Sequence, residues 1–370
     1  MSVCEKCLRR SYLIAHLAPR IAGLLDRPRG RPSGLLDLDE DALIEKVAKG
    51  YRADAAWSFL ERFDPDAALA ELVEAEVTAT CRHDAHYPPG LLQLHDPPSV
   101  LYSTGQAELL AELSARPGVT IVGTRKASPY GSEIARELGR GLAVAGVIVI
   151  SGLALGIDGL VHHGALAGHG RPVAVLACGA NLPYPAQHRG LYRRVREAGL
   201  VLSELPPGCR PFRWSFPARN RIMAALGAIT VVVEAADPSG SLITAHFALE
   251  IGRTVGAVPG LVTSRVAAGS NRLLRDGAAT IRGTEDVLDE MFGIGNGPSG
   301  ARDAAGGIAL SLEPRLRAVL DGVEVGEGVG EIVARTGMSA PAVRSALGEL
   351  ELEGLIVAGG VGWYQRTLKV

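Results

Sequence analysis

The sequence predicts an α/β fold: an extended Rossmann-like, doubly wound and mostly parallel sheet, with an N-terminal helical domain and a C-terminal winged-helix domain. Three observations carry this. Short β-branched runs at 119–122 and 147–150 are each followed by a glycine-containing turn and a helix, and the alternation continues to about residue 290. Residues 1–75 space their apolar side chains at helical intervals only. Residues 309–370 read as three helices and a hairpin.

In the 1–75 domain the helical spacing runs through 8–25, 42–47 and 55–60. Near its start lies Cys4-Glu5-Lys6-Cys7. A C-x-x-C in a reducing compartment binds metal or does redox chemistry more often than it forms a structural disulfide. Zinc would need two further ligands, and Cys81-Arg82-His83 is the other compact thiol/imidazole pair in the front of the chain. The readings are a structural zinc on Cys4, Cys7, Cys81 and His83, or free thiols near a terminus with an unrelated buried Cys81. Cys178 and Cys209 are isolated.

The core spans 76–292. A proline-rich entry (84–98) precedes a strand at 100–103. Strands follow near 119–122, 147–150, 173–177, 200–202, 230–234 and 255–258. Helices alternate with them near 129–144, 157–167, 186–198, 219–226, 241–251 and 284–291. Ser128 and Pro129 are a good N-cap and first residue for the helix at 129. Residues 293–308 are glycine-rich without periodicity and read as a flexible linker. In the winged-helix domain, the helix placed to read DNA offers Arg344 against Glu349, Glu351 and Glu353. Such a helix is ill suited to phosphates, so protein interaction or regulation is favoured over DNA reading.

The 370 residues suffice for two or three domains, and 47% hydrophobic residues suffice for a real core. No apolar run has membrane-spanning length and no leader signal opens the chain, so a cytoplasmic location without membrane association is expected. The net charge is −2. Any nucleic-acid site must therefore be a local patch, and only residues 76–308 carry more basic than acidic side chains, 21 against 19.

Both glycine turns of the leading βα units fall at the carboxyl edge of one parallel sheet, where helix N-termini attract anions. Arg125 and Lys126 add two cations to the first turn, and Ser239-Gly240-Ser241 opens a further helix. Neither G-x-G-x-x-G after the first strand nor G-x-x-x-x-G-K-[ST] occurs, which disfavours a dinucleotide cofactor and a P-loop ATPase. The run 209–221 holds Arg210, Arg213, Arg219 and Arg221 without an acid, interleaved with Phe212, Trp214 and Phe216. Arginines beside aromatics suit single-stranded nucleic acid, with Phe212 and Trp214 as base-stacking candidates; the alternative is that the aromatics anchor a loop to the core. Arg189, Arg193 and Arg196 share a helix side and give a second basic face or a solvated surface. Asp158, Glu204 and Glu234 lie near strand–helix junctions, and His162 and His163 diverge on one helix. No nucleophile–base–orienter set stands out, so no catalytic residue is assigned.

Between residues 80 and 290 the chain resembles the DNA-processing protein A (DprA/Smf) family. The resemblance rests on V-G-T-R-K-A-S-P-Y-G (122–131), S-G-L-A-L-G-I-D (151–158), His162 with Gly164-Ala165-Leu166, Tyr184-Pro185, Ser203-Glu204, F-P-A-R-N-R-I (216–222), V-V-E-A…S-G-S-L-I-T-A (232–245), Gly252-Arg253 and Val258-Pro259-Gly260. Val161 departs from it, where the family has alanine. The resemblance implies a non-enzymatic protein that binds single-stranded DNA and loads the RecA recombinase in transformation. It implies a homodimer, with dimer and RecA contacts at about 245–285, and a sterile-alpha-motif or helix-hairpin-helix-like front domain. The implied pocket comprises Gly123, Arg125, Ser128, Ser151, Gly152, Arg219, Asn220 and Arg221. No cofactor is implied beyond the candidate zinc. A rival is similarity to phosphoribohydrolases of the lysine-decarboxylase-like superfamily. The stretch comparable to their P-G-G-x-G-T-x-x-E segment is 238–245, with no glutamate until Glu250.

Overall fold

The computed structural model describes residues 3–25, 33–297, 312–352, 355–360 and 363–366. The chain divides into two compact units, residues 1–297 and 298–370.

Among the described residues, the first unit opens with five helices: α1 (Glu5–Leu25), α2 (Ser33–Leu36), α3 (Glu40–Val47), α4 (Tyr51–Glu61) and α5 (Pro65–Glu74). Asp39 and Asp64 cap α3 and α5, each accepting hydrogen bonds from first-turn N–H groups. Nine strands follow: β1 (Thr78–Cys81), β2 (Val100–Gly105), β3 (Gly118–Val122), β4 (Val149–Ser151), β5 (Val173–Val175), β6 (Leu200–Ser203), β7 (Gly227–Val232), β8 (Thr254–Ala257) and β9 (Ala279–Thr280). Between them lie α6 (Glu108–Ala115), α7 (Pro129–Val144), α8 (Ile157–Ala167), α9 (Arg189–Ala198), α10 (Ser215–Leu226), α11 (Gly240–Glu250) and α12 (Ala268–Arg275), and α13 (Thr284–Phe292) closes the unit.

The sheet order is β1-β2-β6-β5-β4-β3-β7-β8-β9. From β6 to β9 all neighbours are parallel, while β1 and β2 form an antiparallel edge. From β3 the chain steps outward through β4, β5 and β6, then returns to add β7 on β3's other flank. The strand order therefore reverses beside β3, and in doubly wound sheets such a reversal opens a crevice at the carboxyl edge.

Strand alternation distributes side chains to two cores. Along β6, Leu200 and Leu202 join a cluster with Leu109 of α6, Ile222 of α10 and Ala245 of α11, whereas Val201 joins one with Leu191 and Val195 of α9. The front helices share these cores. Leu8 and Leu72 pack with Val201, and a third cluster joins Leu13, Leu17 and Ile44 to Leu205, Trp214 and Ala218. The described residues of 1–75 are thus mostly helical but form one compact unit with the sheet.

Helix α10 is buried from Ala218 to Leu226. It begins at Ser215, not at 219 as the sequence suggests, so most of the aromatic run lies just before it and in its first turn. The edge strand β1 is held by its register with β2.

In the second unit, α14 (Pro314–Glu324), α15 (Val329–Thr336) and α16 (Ala340–Leu352) precede a hairpin of β10 (Ile356–Gly360) and β11 (Trp363–Arg366). Val319, Leu320, Ile332, Val343, Leu347 and Ile356 form its core. Within the predicted linker, 298–308 lie outside the described residues.

Candidate functional site

At the reversal of strand order lies a cavity of about 340 Å³. It is lined by the turn after β3 (Gly123, Thr124, Arg125), by Ala154 and Asp158, by Phe216, Pro217, Arg219, Asn220 and Met223 of α10, and by the first turn of α11.

Arg219 supplies the inner cation. It is almost fully buried, and its Nη1 donates to the Gly152 carbonyl at 2.7 Å and to the Val175 carbonyl. Its Nε donates to Asn220 Oδ1 at 3.2 Å. A Cβ on Gly152 would overlap the guanidinium, so glycine there lets the arginine reach the strand edge. Asp158 stands nearby, its Oδ2 accepting from the Gly152 N–H at 3.1 Å. Burial pushes the Asp158 carboxyl up, and Arg219 with the Ala154 and Gly152 N–H groups opposes that shift. Burial also pushes Arg219 down, and Asp158 opposes it. Each charge keeps the other tolerable inside the protein.

Arg125 supplies the outer cation. It is exposed and lies 5.4 Å from the centroid of the Phe216 ring, within cation–π range. Tyr184 extends this aromatic edge, 5.9 Å from Phe216 and tilted to it. Gly156 adopts φ +76°, and a Cβ there would strike the Thr124 carbonyl and the Arg125 backbone. The second glycine turn therefore fits closely against the first.

The third contribution is α11. Ser239 is its N-cap, with Oγ 2.8 Å from Ser241 Oγ, while Asn220 Nδ2 donates to the Gly240 carbonyl at 3.2 Å. A helix N-terminus facing a cavity with two arginines favours an anion.

The structure brings together Gly123, Arg125, Arg219, Asn220, Gly240 and Ser241. Gly152 lies one layer behind, under Arg219. Other expected residues have structural work. Ser151 is buried and donates to the Ile121 carbonyl at 2.7 Å. Ser128 caps α7 by accepting from the Gly131 N–H at 3.0 Å and donates to Glu234 Oε1 at 2.5 Å. Lys126 is exposed on the turn but outside the cavity lining.

Two assignments are corrected. Arg221 is 2% exposed and paired with the buried Asp96 (3.1 Å) and the partly buried Glu204 (2.6 Å), so it neutralises these carboxylates and cannot meet a phosphate. Burial raises the Asp96 carboxyl to about 6 against the pull of Arg221. Trp214 is 3% exposed, and its Nε1 donates to the Ala18 carbonyl at 3.1 Å. It anchors the front helices and offers no face to a base. Phe212 is only partly buried but packs against the same cluster and stacks on Trp214, 6.5 Å between centroids. Phe216, from the same run, is the aromatic that reaches the cavity; its place one turn before Arg219 was the available signal.

Elsewhere, Leu191, Tyr192 and Val195 of α9 are buried while Arg189 and Arg193 are exposed, and Arg196 lies 3.7 Å from Glu76. His162 is fully buried, and desolvation pushes it down to about 3, so it is a neutral core residue. Cys4, Cys7, Cys81 and His83 lie together, their ligand atoms all within 4.8 Å of one another. In α16, Arg344 is exposed and Glu349 pairs with Arg315 at 2.8 Å; Glu353 lies outside the described residues.

A sequence profile described as DNA recombination-mediator protein A matches residues 78–292, and a DprA winged helix domain profile matches 311–360. The chain is 36% identical over 293 residues to the DNA processing protein DprA of Bacillus subtilis, covering 79% of this chain and 96% of that one. It is 40% identical over 260 residues to a Mycobacterium tuberculosis protein named for DNA processing, covering 70% of this chain and spanning 66% of that relative's length. The solved structure of DNA processing protein A from Streptococcus pneumoniae superposes with a TM-score of 0.62 at 29% identity, covering 79% of this chain and 99% of that one. A Helicobacter pylori homologue, solved for its single-stranded DNA binding mode, gives 0.52 at 29% identity, covering 57% and 94%.

Proposed function

We propose that this chain, which belongs to the DNA recombination-mediator protein A family, binds single-stranded DNA along the carboxyl edge of its sheet and serves recombination. The observation that carries this is the cavity at the reversal of strand order, where Arg125, Arg219 and the N-terminus of α11 converge. A backbone phosphate in the cavity would meet Arg219 and the α11 N–H groups, with Arg125 outside it. Phe216 and Tyr184 offer the adjoining aromatic edge for an unstacked base.

The role is binding, not catalysis. Asp158 is the carboxylate lining the cavity, and it is held by the Gly152 N–H. Glu234 serves the Ser128 cap, and Glu250 lies at the far end of α11, 3.1 Å from His246. Nucleotide hydrolysis is accordingly not favoured. RecA loading and self-association extend the reading through the family; Leu249, Leu261 and Val262, exposed within the 245–285 region, support a protein contact there.

The test is a titration of single- and double-stranded oligonucleotides at two salt concentrations. Single strands should bind more tightly. Arg125→Ala should weaken binding to all sequences alike and reduce the salt slope by about 0.7, the value per single-strand phosphate contact. A folded Arg125→Ala protein with unchanged affinity and slope would remove the strand from this edge.

A further inference from the structure

We propose that Cys4, Cys7, Cys81 and His83 bind one structural zinc ion that clips the start of α1 to the end of β1. The ligands come as two local pairs. The Leu8 N–H donates to the Cys4 carbonyl at 3.1 Å, closing the first turn of α1 and putting Cys4 and Cys7 on one side of it. Cys81 ends β1, and the Asp84 N–H donates to the Cys81 carbonyl at 2.9 Å, closing the turn that carries His83.

His83 Nδ1 lies 3.5 Å from both Cys4 Sγ and Cys7 Sγ. A tetrahedral zinc with Zn–S of about 2.3 Å and Zn–N of about 2.1 Å separates its ligand atoms by about 3.6 Å. The observed spacing therefore needs little movement to close on an ion. Three thiolates and an imidazole are soft donors that select zinc over magnesium or calcium, and four protein ligands leave no open position, which makes the site structural. Cys7 and Cys81 are buried and form the floor, while Cys4 and His83 are exposed and give the ion a path in. The complex carries one net negative charge, which the free N–H groups at the start of α1 favour.

The site would add a metal link between two elements that already share an apolar cluster, Cys7 and Leu8 of α1 with Ala79 of β1. Leu8 of α1 packs in the cluster that holds Val100 and Tyr102 of β2, the neighbour of β1. A metal at the outer end of that contact would fix the antiparallel edge against the front helices.

Metal is measured on the full chain purified without chelator, and again after exchange into cobalt. We expect about one zinc per chain, and in the cobalt form a thiolate charge-transfer band with tetrahedral ligand-field absorption. Cys4→Ser and His83→Gln change exposed ligands and should lose the metal, whereas Cys209→Ser should keep it. Chelator treatment of the unsubstituted chain should lower its thermal midpoint, a readout that does not depend on the variants folding. Metal at a small fraction of the chains after zinc-supplemented growth, equal metal in Cys4→Ser and the parent, or a Cys4–Cys7 disulfide in freshly isolated protein would each overturn the proposal.

Discussion

Two arginines separated by one residue on α10 have opposite duties. Positions two apart on a helix point to opposite sides, so Arg219 faces the glycine turns and Arg221 faces Asp96 and Glu204. In the sequence both belong to one acid-free basic run, and nothing local separates them; Arg221's partners lie on distant segments. The difference is measurable. Arg221→Met should cost about 3–5 kcal/mol in urea denaturation, because it leaves the buried Asp96 and the partly buried Glu204 without their cation. Asp96, which burial already pushes up to about 6 against the pull of Arg221, would then be raised further, and protonation relieves it. The deficit should therefore shrink as the pH is lowered through the Asp96 titration, and the salt slope of the protein that remains folded should be unchanged. An Arg221→Met protein as stable as its parent, but with a shallower salt slope, would return this residue to the DNA-binding set.

At the scale of elements, local pattern carries most of the fold. The β-branched runs, glycine turns and caps of β3-α7 and β4-α8 are all contained within a few residues, and the structure follows them closely. Elements fixed by partners were not legible. β1 is a short edge strand defined by its register with β2, and the first turn of α10 is set by Trp214 locking onto α1. The same applies to the site: each glycine turn could be read locally, but the α10 and α11 residues that close the cavity arrive by tertiary packing. Trp214→Ala should cost about 3–5 kcal/mol, as expected for truncating a core aromatic, measured by chemical denaturation. The folded fraction should keep its salt slope. An unchanged stability with a loss of about 1–3 kcal/mol in single-strand affinity would show a stacking role instead.

At the scale of the whole molecule, the chain comprises two compact units, and the proposed DNA site lies wholly within the first. The described part of α16 carries Arg344 against Glu349 and Glu351, a poor match for phosphates. Removing residues 309–370 should accordingly leave single-strand affinity within a few-fold of the full chain. A loss on the order of a hundredfold, about 2.7 kcal/mol, would make the second unit a DNA reader in its own right.

The fixed posture of Arg219 bears on how quickly a strand arrives and leaves. Its guanidinium is already positioned by two carbonyls before any ligand enters. Arg125 stands in solvent, where its field reaches an approaching strand. Charges at a rim govern encounter, and buried, preorganised ones govern residence time. In the proposed binding role, capture would fall to the turn after β3, and retention to a side chain locked in place when the protein folds.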